Sequence, residues 1–334
     1  QSSSIPGDAP SVMVRGRNSI NASSEPYIVV DGVPLSKTDG SLNDINPNDI
    51  ESMEILKDAS ATAIYGTNGA NGVILITTKR GSTGKPVIRY NGYGGVEGMA
   101  HVLEPGSPEQ VLERYAEYAR IQGASLYQGG PIRYEYEAEN YANGKTVDWI
   151  DLVTQTGNIQ DHNLSISGGR ENVKYYVSGD FMNEKGIVKG YNYKRYSIRT
   201  NIDMNPTDYL TIGTNSYIVS HNRDGGRANL LNAEAMSPYA KVYEEDGSLT
   251  HYPMYSETLW ANPLLPATLD PERRQFNISV NGYGEVNFGN IWSPLSGLQY
   301  KLNAGYTYVP WRTNEYEGKS VYNMTGWGKI FNRE

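Results

Sequence analysis

The sequence contains no cysteine, which excludes disulfide bonds, zinc–thiolate sites and cysteine nucleophiles. Long hydrophobic runs are also missing. The longest purely aliphatic run covers residues 73–76, whereas a transmembrane helix needs about 20 apolar residues. Together with a mean hydropathy of -0.56, this excludes a helical membrane protein.

Positive charge is in the minority, with 29 Lys and Arg against 37 Asp and Glu and a formal net charge of -8. This balance argues against general nucleic-acid binding, which needs a basic face. The chain does not open with a basic segment followed by an apolar one, so the protein is expected either to be cytosolic or to have lost a signal peptide. Phenylalanine is scarce, with 4 residues, but 27 tyrosines and 36 glycines give a composition typical of β-structure.

The first 84 residues predict a small mixed α/β unit. Its elements are, in chain order, strands at 11–15 and 27–30, a helical turn from Asn46-Pro47, a strand at 51–57, an Ala-rich helix at 59–65 and a strand at 73–78. Asp31-Gly32 is a turn pair, and Asp58 and Gly66 are suited to begin and end the helix. Residues 79–85 are predicted to be the linker that leaves this unit.

From residue 85 onward the sequence predicts long strands with one apolar and one polar face. Residues 276–288 show this clearly, because one parity is apolar or glycine while the other is polar throughout. The seven predicted strands are 86–99, 163–168, 173–181, 193–204, 210–220, 276–288 and 298–308. Tight turns alternate with long loops at 100–158 and 221–275. The first long loop contains a predicted helix that has Ser107 as its N-cap, starts at Pro108 and ends at Gly123.

Two folds are compatible with this alternation. A soluble β-sandwich buries one face of each strand, but its strands are usually shorter and its joints are not sorted by length. Long strands joined alternately by tight turns and long loops favour an outer-membrane barrel, in which the apolar face meets lipid and the polar face meets an aqueous lumen. Bacterial single-chain barrels have an even number of strands, from 8 upward, so the barrel interpretation expects this sequence to be a fragment.

Four ordered motifs in the first unit resemble the plug domain of the SusC/RagA family of TonB-dependent outer-membrane transporters. They are VMVRG at 12–16, PYIVVDGVP at 26–34, INPNDIESMEILKDASA at 45–61 and IYGTNGANGVILITTK at 64–79. In the second part, residues 162–169 and 194–197 are similar in style to the family's early barrel strands.

The resemblance implies a mainly β fold, with a plug at residues 1–84 and the N-terminal part of a 22-stranded transmembrane barrel at residues 85–334. It implies membrane lipids, a SusD-like surface lipoprotein and TonB as partners, and location in the bacterial outer membrane. Family members carry a signal peptide, a small β-sandwich domain, a TonB box and the first part of the plug ahead of the matched region. None of these precedes Gln1, so contact with TonB is expected through a segment outside this sequence.

The expected function is TonB-dependent import of a bulky nutrient, with an oligosaccharide as first choice of cargo and a peptide as second. A siderophore or vitamin receptor of the same broad class is one alternative. A soluble glycan-binding β module is another, and it predicts a chain that dissolves without detergent.

Candidate cargo-binding residues lie in loops. Five belong to loops that follow plug strands, and the resemblance implies that such loops face the external cavity: Arg15, Arg17, Asn18, Lys37 and Asp39. For Arg15 the alternative is an anchoring role, in which the plug is held to carboxylates of the barrel wall. Tyr255 and Trp260 lie in the second long loop, where aromatic rings could stack on sugars or simply pack the loop.

The sequence predicts no enzyme and no cofactor. The glycine-rich stretch at 66–72 follows a helix and precedes a strand, which is the reverse of a phosphate-binding loop. The four histidines lie far apart, and HExxH and G-x-S-x-G motifs are absent from the sequence. A structural Ca²⁺ site in the second long loop is an alternative for its acidic residues, which are Asp224, Glu244, Glu245 and Asp246.

Overall fold

The computed structural model describes residues 5–8, 12–14, 25–35, 41–58, 63–100, 105–317 and 329–333. The strands form a four-stranded sheet, called the small sheet, and a nine-stranded sheet, called the large sheet. The described chain is therefore mainly β, as the sequence predicts.

Among the helices in these residues, none has both the length and the apolar character needed to cross a membrane.

The small sheet has the strand order β2-β1-β4-β3. Its strands are β1 (Tyr27–Val30), β2 (Val33–Pro34), β3 (Ile50–Leu56) and β4 (Val73–Thr78). Strands β1 and β4 are parallel, and the other two pairs are antiparallel. Buried aliphatic side chains on one face form its core, at Val30, Ile45, Ile74 and Ile76. Burial of these branched side chains away from water holds the sheet together.

Local sequence explains how the small sheet turns. Asp31 and Gly32 both adopt positive φ, of 51° and 85°, in the tight turn between β1 and β2. The side chain of Asn46 accepts a hydrogen bond from the backbone N–H of Asn48, and Pro47 begins a 3-10 helix, Pro47–Asp49. The predicted turn and helical start are both confirmed.

Two predictions for this region need correction or lie partly outside the described residues. Residues 11 and 15 of the first predicted strand lie outside the described residues, and residues 12–14 do not form a strand, since Val12 and Val14 pack against the core of the small sheet. Residues 59–62 of the predicted helix are outside the described residues. The stretch that follows, Ala63–Asn71, is 3-10 helix with a break at Gly66, where φ is 56° and ψ is -140°.

The large sheet contains all seven predicted long strands, and consecutive strands pair antiparallel. They are β5 (Gly84–Glu97), β6 (Gly157–Arg170), β7 (Val173–Lys185), β8 (Asn192–Thr207), β9 (Leu210–Asn222), β10 (Glu272–Asn287) and β11 (Gln299–Tyr308). Two strands were not predicted, β12 (Trp311–Glu317) and β13 (Lys329–Arg333).

Strands β11 and β12 share the same neighbour. One end of β10, Glu272–Gln275, pairs with β12, and the rest of β10 pairs with β11. Between the two, the carbonyl of Pro310 accepts a hydrogen bond from the N–H of Phe276. Because proline cannot donate to the ladder, β11 and β12 act as two parts of one interrupted strand.

The two long loops pack together into one compact unit, called the loop lobe (residues 105–156 and 223–271). Its helices are α1 (Pro108–Gln122), α2 (Ala138–Ala142), α3 (Trp149–Val153) and α4 (Leu230–Ala235). Residues from both loops share its apolar core, among them Trp149, Val153, Ala233, Met236 and Met254. Ser107 caps α1 as predicted, and with Gln110 it forms a capping box, while Gly123 ends the helix with a φ of 61°.

The central strands of the large sheet expose their apolar parity and bury their polar parity. Leu164 is 55% exposed and Val280 is 53% exposed, whereas Asn163 and Asn277 are 1% and 0% exposed. Burial of amides alongside exposed aliphatic side chains is the reverse of a water-soluble sheet. This arrangement confirms the predicted sidedness of the strands, because the small sheet lies against the polar parity.

Candidate functional site

Two buried carboxylates of the small-sheet unit point at the large sheet. They are Asp44 and Asp49, each the last residue of a 3-10 helix. A carboxylate needs partners to remain buried. Both residues are almost fully buried, and strands of the large sheet supply those partners.

Asp44 is the centre of a chain of polar contacts. One of its carboxylate oxygens lies 2.7 Å from Nε2 of His221 on β9, and Nδ1 of His221 lies 2.8 Å from the Tyr193 hydroxyl on β8. The other oxygen accepts from Asn277 Nδ2 on β10, at 2.8 Å, and from the backbone N–H of Ser41, at 2.8 Å. One side chain of the small-sheet unit is thus tied to three neighbouring strands.

Asp49 makes a second set of contacts. The Tyr176 hydroxyl donates to it at 2.8 Å, and Arg199 Nε lies 3.6 Å from its other oxygen. The backbone carbonyl of Asp49 accepts from the N–H of Lys79 at 2.8 Å. These contacts fix the second 3-10 helix between β4 and the large sheet.

Arg195 organises the charges of the large sheet itself. Its Nη2 lies 2.9 Å from Asp180 and 3.5 Å from Asp161, and its Nη1 donates to the backbone carbonyl of Asn43 at 3.1 Å. Asp180 also accepts a hydrogen bond from the side-chain amide of Asn46. A buried guanidinium is stable only when paired, so this cluster holds the two sheets together as well as the strands.

The chain that leaves the small sheet is held in the same way. Asn201 Nδ2 donates to Thr78 Oγ1 at 2.9 Å and to the Lys79 carbonyl at 2.7 Å. Arg80 Nη1 donates to Asp203 at 2.8 Å and to the Tyr283 hydroxyl at 2.9 Å. Residues 78–80 are therefore attached to β8 and β10.

Hydrogen bonding across this interface is not complete. Arg199 Nε, Asn277 Oδ1 and Asn281 Oδ1 are buried without a hydrogen-bond partner in the described chain, and their side chains line a cavity between the sheets, together with Val30 and Leu35. Such groups gain hydrogen bonds when they become hydrated. The contacts between the two sheets are therefore specific. Separating the sheets nevertheless costs less free energy than separating an interface in which every buried polar group has a hydrogen-bond partner.

Of the candidate cargo-binding residues, the structure describes Tyr255 and Trp260. Arg15, Arg17, Asn18, Lys37 and Asp39 lie outside the described residues. The side chain of Tyr255 is exposed, its ring centroid is 5.2 Å from that of Tyr136, and its carbonyl accepts from the Tyr136 N–H. Trp260 is partly buried and packs against the core of the loop lobe.

Sequence reasoning missed the residues that join the two sheets, which are Asp44, Asp49, Arg195, Arg199 and His221. The polar parity of the strands was the available signal for the two arginines. His221 is 177 residues from Asp44 in the chain, so no local spacing could have linked them.

The metal alternative has no support at Asp224, whose carboxylate accepts hydrogen bonds from Arg274 Nε and from the Arg273 backbone. Over the described ranges, His, Asp and Glu side chains do not assemble in groups of three or more that could hold a metal ion.

Comparison with known proteins finds relatives that are named TonB-dependent receptors. The family model for the TonB-dependent receptor plug domain matches residues 1–73. TonB-dependent receptor P26 of Formosa agariphila is 37% identical over 276 residues, which cover 81% of this chain and 27% of that protein. TonB-dependent receptor SusC of Bacteroides thetaiotaomicron is 32% identical over 81% of this chain and 27% of its own length. The chain spans less than a third of the length of these curated relatives.

A solved structure also matches the fold. The RagAB peptide importer in its closed-closed state superposes with a TM-score of 0.76 and 26% identity, over 98% of this chain and 39% of that one. The same importer in its open-open state matches with a TM-score of 0.76 and 27% identity, over 96% of this chain and 38% of that one.

Proposed function

Because this chain belongs to the SusC/RagA family of TonB-dependent receptors, we propose that it is part of an outer-membrane transporter that imports a bulky nutrient with energy delivered through TonB. The observation that carries the proposal is the buried polar interface between the small sheet and the large sheet. In this proposal the small-sheet unit is the plug, which comprises residues 1–84. Residues 85–334 are the first part of the barrel wall.

The mechanism depends on the two states of that interface. In the resting state, Asp44, Asp49 and Asn46 of the plug are bound to the wall. A pull on the plug breaks these contacts, and the polar side chains on both sides become hydrated. Because each buried hydrogen bond has only a modest net free energy in water, the plug can leave and return. No covalent bond of the cargo is broken.

The same geometry supports the proposed placement in the outer membrane. The exposed parity of the wall, which includes Leu164, Ile198 and Val280, would face hydrocarbon, and the plug would fill the lumen. A soluble glycan-binding module is the alternative from another class, and it would stay monomeric without detergent.

The loop lobe offers a surface for a second protein. Leu231, Tyr243 and Leu259 are all more than half exposed on it, and exposed apolar groups often mark an interaction site. The proposed partner is a SusD-like surface lipoprotein that acts as a lid over the lumen.

The proposed cargo is an oligosaccharide. Tyr255 presents an exposed ring in the loop lobe, and aromatic faces can stack on sugar rings. Trp260 and the loop residues Arg15, Arg17, Asn18, Lys37 and Asp39 are proposed as further contacts. A peptide is the second candidate, because the RagAB relative is named a peptide importer. A siderophore or vitamin cargo is the remaining alternative, and it would need no lid protein.

A reversible lock on the interface tests the proposal. Asn46→Cys combined with Asp180→Cys would join plug and wall at a point where the two side chains touch. We expect the oxidised full-length receptor to bind cargo but to lose uptake, and reduction to restore uptake. Reduction separates the lock from the effect of the substitutions themselves.

The matched control is a lock within the wall. Thr200→Cys with Ser216→Cys joins β8 to β9 at paired positions, which move together in the proposed mechanism, so uptake should persist in the oxidised protein. Wild-type uptake by the oxidised plug-to-wall variant would contradict the proposal.

A further inference from the structure

Two arginines flank a tight turn where β9 enters the loop lobe. Arg223 and Arg227 are separated by Asp224-Gly225-Gly226, and Gly225 has a φ of 101°. A Cβ on Gly226 would lie 2.0 Å from the backbone oxygen of Pro266. The backbone N–H groups of Arg223, Gly225 and Gly226 each donate across to the segment at 269–273, at 2.9 Å. The turn therefore holds the two arginines at a fixed separation.

Each guanidinium rests on a tyrosine. The Cζ of Arg223 is 5.2 Å from the ring centroid of Tyr193, and the Cζ of Arg227 is 4.7 Å from that of Tyr191. Tyr193 lies on the parity of β8 that carries Arg195, which is the parity that faces the plug, and Tyr191 lies just before the strand begins. Stacking on an aromatic face restricts a guanidinium without using its hydrogen-bond donors. The two side chains are thus oriented toward the interior at the loop end of the strands.

Among the described residues, these two side chains have few hydrogen-bond partners. Arg223 Nη2 donates to the Gly7 carbonyl at 2.5 Å. The Nε atoms of Arg223 and Arg227 are buried without a partner in the part of the chain that the structure describes. Neither side chain lies within ion-pair distance of a carboxylate among those residues. The ion pairs that arginines form there all involve arginines other than these two.

Nearby acidic residues already have partners. Asp224, between the two arginines, accepts from Arg274 Nε at 2.8 Å and from the Arg273 backbone at 2.7 Å. Partial burial acts to raise its pKa, but these hydrogen bonds outweigh that effect and lower it. Arg273 itself pairs with Glu315 at 3.1 Å.

Two other arginines are near neighbours of Arg227. Burial lowers the pKa of Arg227, and the neighbouring charges of Arg273 and Arg223 lower it further, while Asp8 acts in the opposite direction. A guanidinium remains charged in proteins even so. An anionic group placed here would gain charge-assisted hydrogen bonds from both side chains.

We propose that Arg223 and Arg227 bind an anionic substituent of the cargo, and that the oligosaccharide therefore carries sulfate esters or carboxylates. This inference rests on the proposed function, because the proposed import of cargo places the two arginines on the route between the loop lobe and the plug. The planar donor array of a guanidinium matches the oxygen pairs of both anions. A neutral glycan would leave the two charges partly buried and unpaired.

Binding by the full-length receptor with its lid protein, measured by calorimetry, tests the site. The probes are a sulfated oligosaccharide of defined length and its chemically desulfated counterpart. We expect wild type to bind the sulfated probe at least about tenfold more tightly, as one or two charge-assisted hydrogen bonds imply. Arg227→Gln should remove this preference and leave affinity for the desulfated probe unchanged, while Arg227→Lys should retain part of it.

Arg120→Gln is the control, because Arg120 is an exposed arginine of α1 whose partner is Glu117, and it should keep the full preference. Equal affinity of wild type for the two probes would overturn the anion site, while the proposed import of a glycan would stand. A preference that survives Arg227→Gln would overturn it as well. Binding of an acidic peptide alone, lost in Arg227→Gln, would overturn both the glycan assignment here and the oligosaccharide cargo proposed above.

Discussion

At the residue scale, Asp44 connects the small-sheet unit to β8, β9 and β10 through only a few atoms. Its carboxylate contacts the side chains of Asn277 and His221 directly, and His221 in turn contacts the Tyr193 hydroxyl. Removal of one partner from a buried polar set costs more than the net free energy of the bonds, because the remaining groups stay buried and unpaired.

Asp44→Ala should therefore loosen the plug. The side chains of His221 and Asn277 and the backbone N–H of Ser41 lose their acceptor, at about 1–3 kcal/mol for each buried group, so we expect faster amide hydrogen exchange in the small sheet and unchanged exchange in the large sheet. Hydrogen-exchange mass spectrometry on the receptor in detergent measures this. Glu54→Ala, at an exposed position of β3, is the matched control and should leave exchange as in wild type. Unchanged protection in Asp44→Ala would show that Asp44 does not hold the plug.

A second residue-scale prediction concerns the loop lobe. Glu137 is fully buried and accepts from the Tyr115 hydroxyl at 2.7 Å. Burial, together with the neighbouring Glu137 carboxylate, raises the pKa of the Tyr115 phenol. Because the unfolded phenol loses its proton near pH 10 and the folded one only at higher pH, stability of the lobe should fall as pH rises above about 10.

Tyr115→Phe should destabilise the loop lobe by about 1–3 kcal/mol at neutral pH. It should also remove the contribution of this phenol to the loss of stability at alkaline pH. Limited proteolysis of the lobe across a pH series measures both effects. Tyr118→Phe, on the same helix but more exposed, should change neither. A wild-type pH profile in Tyr115→Phe would contradict the assignment.

At the element scale, the loop lobe depends on how closely its segments approach each other. Gly226→Ala would place a methyl group 2.0 Å from the Pro266 backbone oxygen, and backbone cannot move aside as cheaply as a flexible side chain. Overpacking of this kind costs about 1–3 kcal/mol. We expect increased proteolysis at the base of the lobe.

Gly98→Ala is the control for that substitution, since a Cβ at Gly98 would meet nothing within 4 Å. Equal protease resistance of Gly226→Ala and Gly98→Ala would refute the close-packed base. The same close approach sets the geometry of Arg223 and Arg227, so Gly226→Ala should also weaken binding of the sulfated probe.

The elements also show where sequence patterns were sufficient. Period-two alternation identified all seven long strands, and the capping box at Ser107 and Gln110 located α1. Strand β12 was missed, because Pro310 interrupts the alternation just before it. Residues 12–14 were assigned wrongly, because three apolar residues in a row cannot distinguish a strand from a segment that packs on the face of a sheet.

At the scale of the whole molecule, the exposed apolar parity of the large sheet is the feature on which the proposed placement in a membrane depends. A lysine on the lipid-facing surface of a barrel costs about 2–4 kcal/mol near the bilayer midplane, whereas the same change is nearly neutral in water. Ile198→Lys, on β8, should therefore reduce assembly of the receptor in the outer membrane, measured by heat-modifiable electrophoretic mobility.

Leu231→Lys, on the exposed surface of the loop lobe, is the matched control and should assemble normally. If Ile198→Lys assembled as well as Leu231→Lys, the exposed parity would be in contact with water and placement in the membrane would be wrong.

The sequence by itself determined the strands, their two faces and the family, because these depend on local periodicity and on contiguous motifs such as residues 45–61. Only the tertiary structure decided which polar residues meet. Asp44 and His221, or Asp49 and Tyr176, are brought together by the placement of one sheet against the other. The same is true of Arg223 and Arg227, which form no ion pair with the described residues because Asp224 is turned toward Arg274. Such contacts join residues that are distant in the chain or turned apart by folding, and no pattern along a single sequence encodes them.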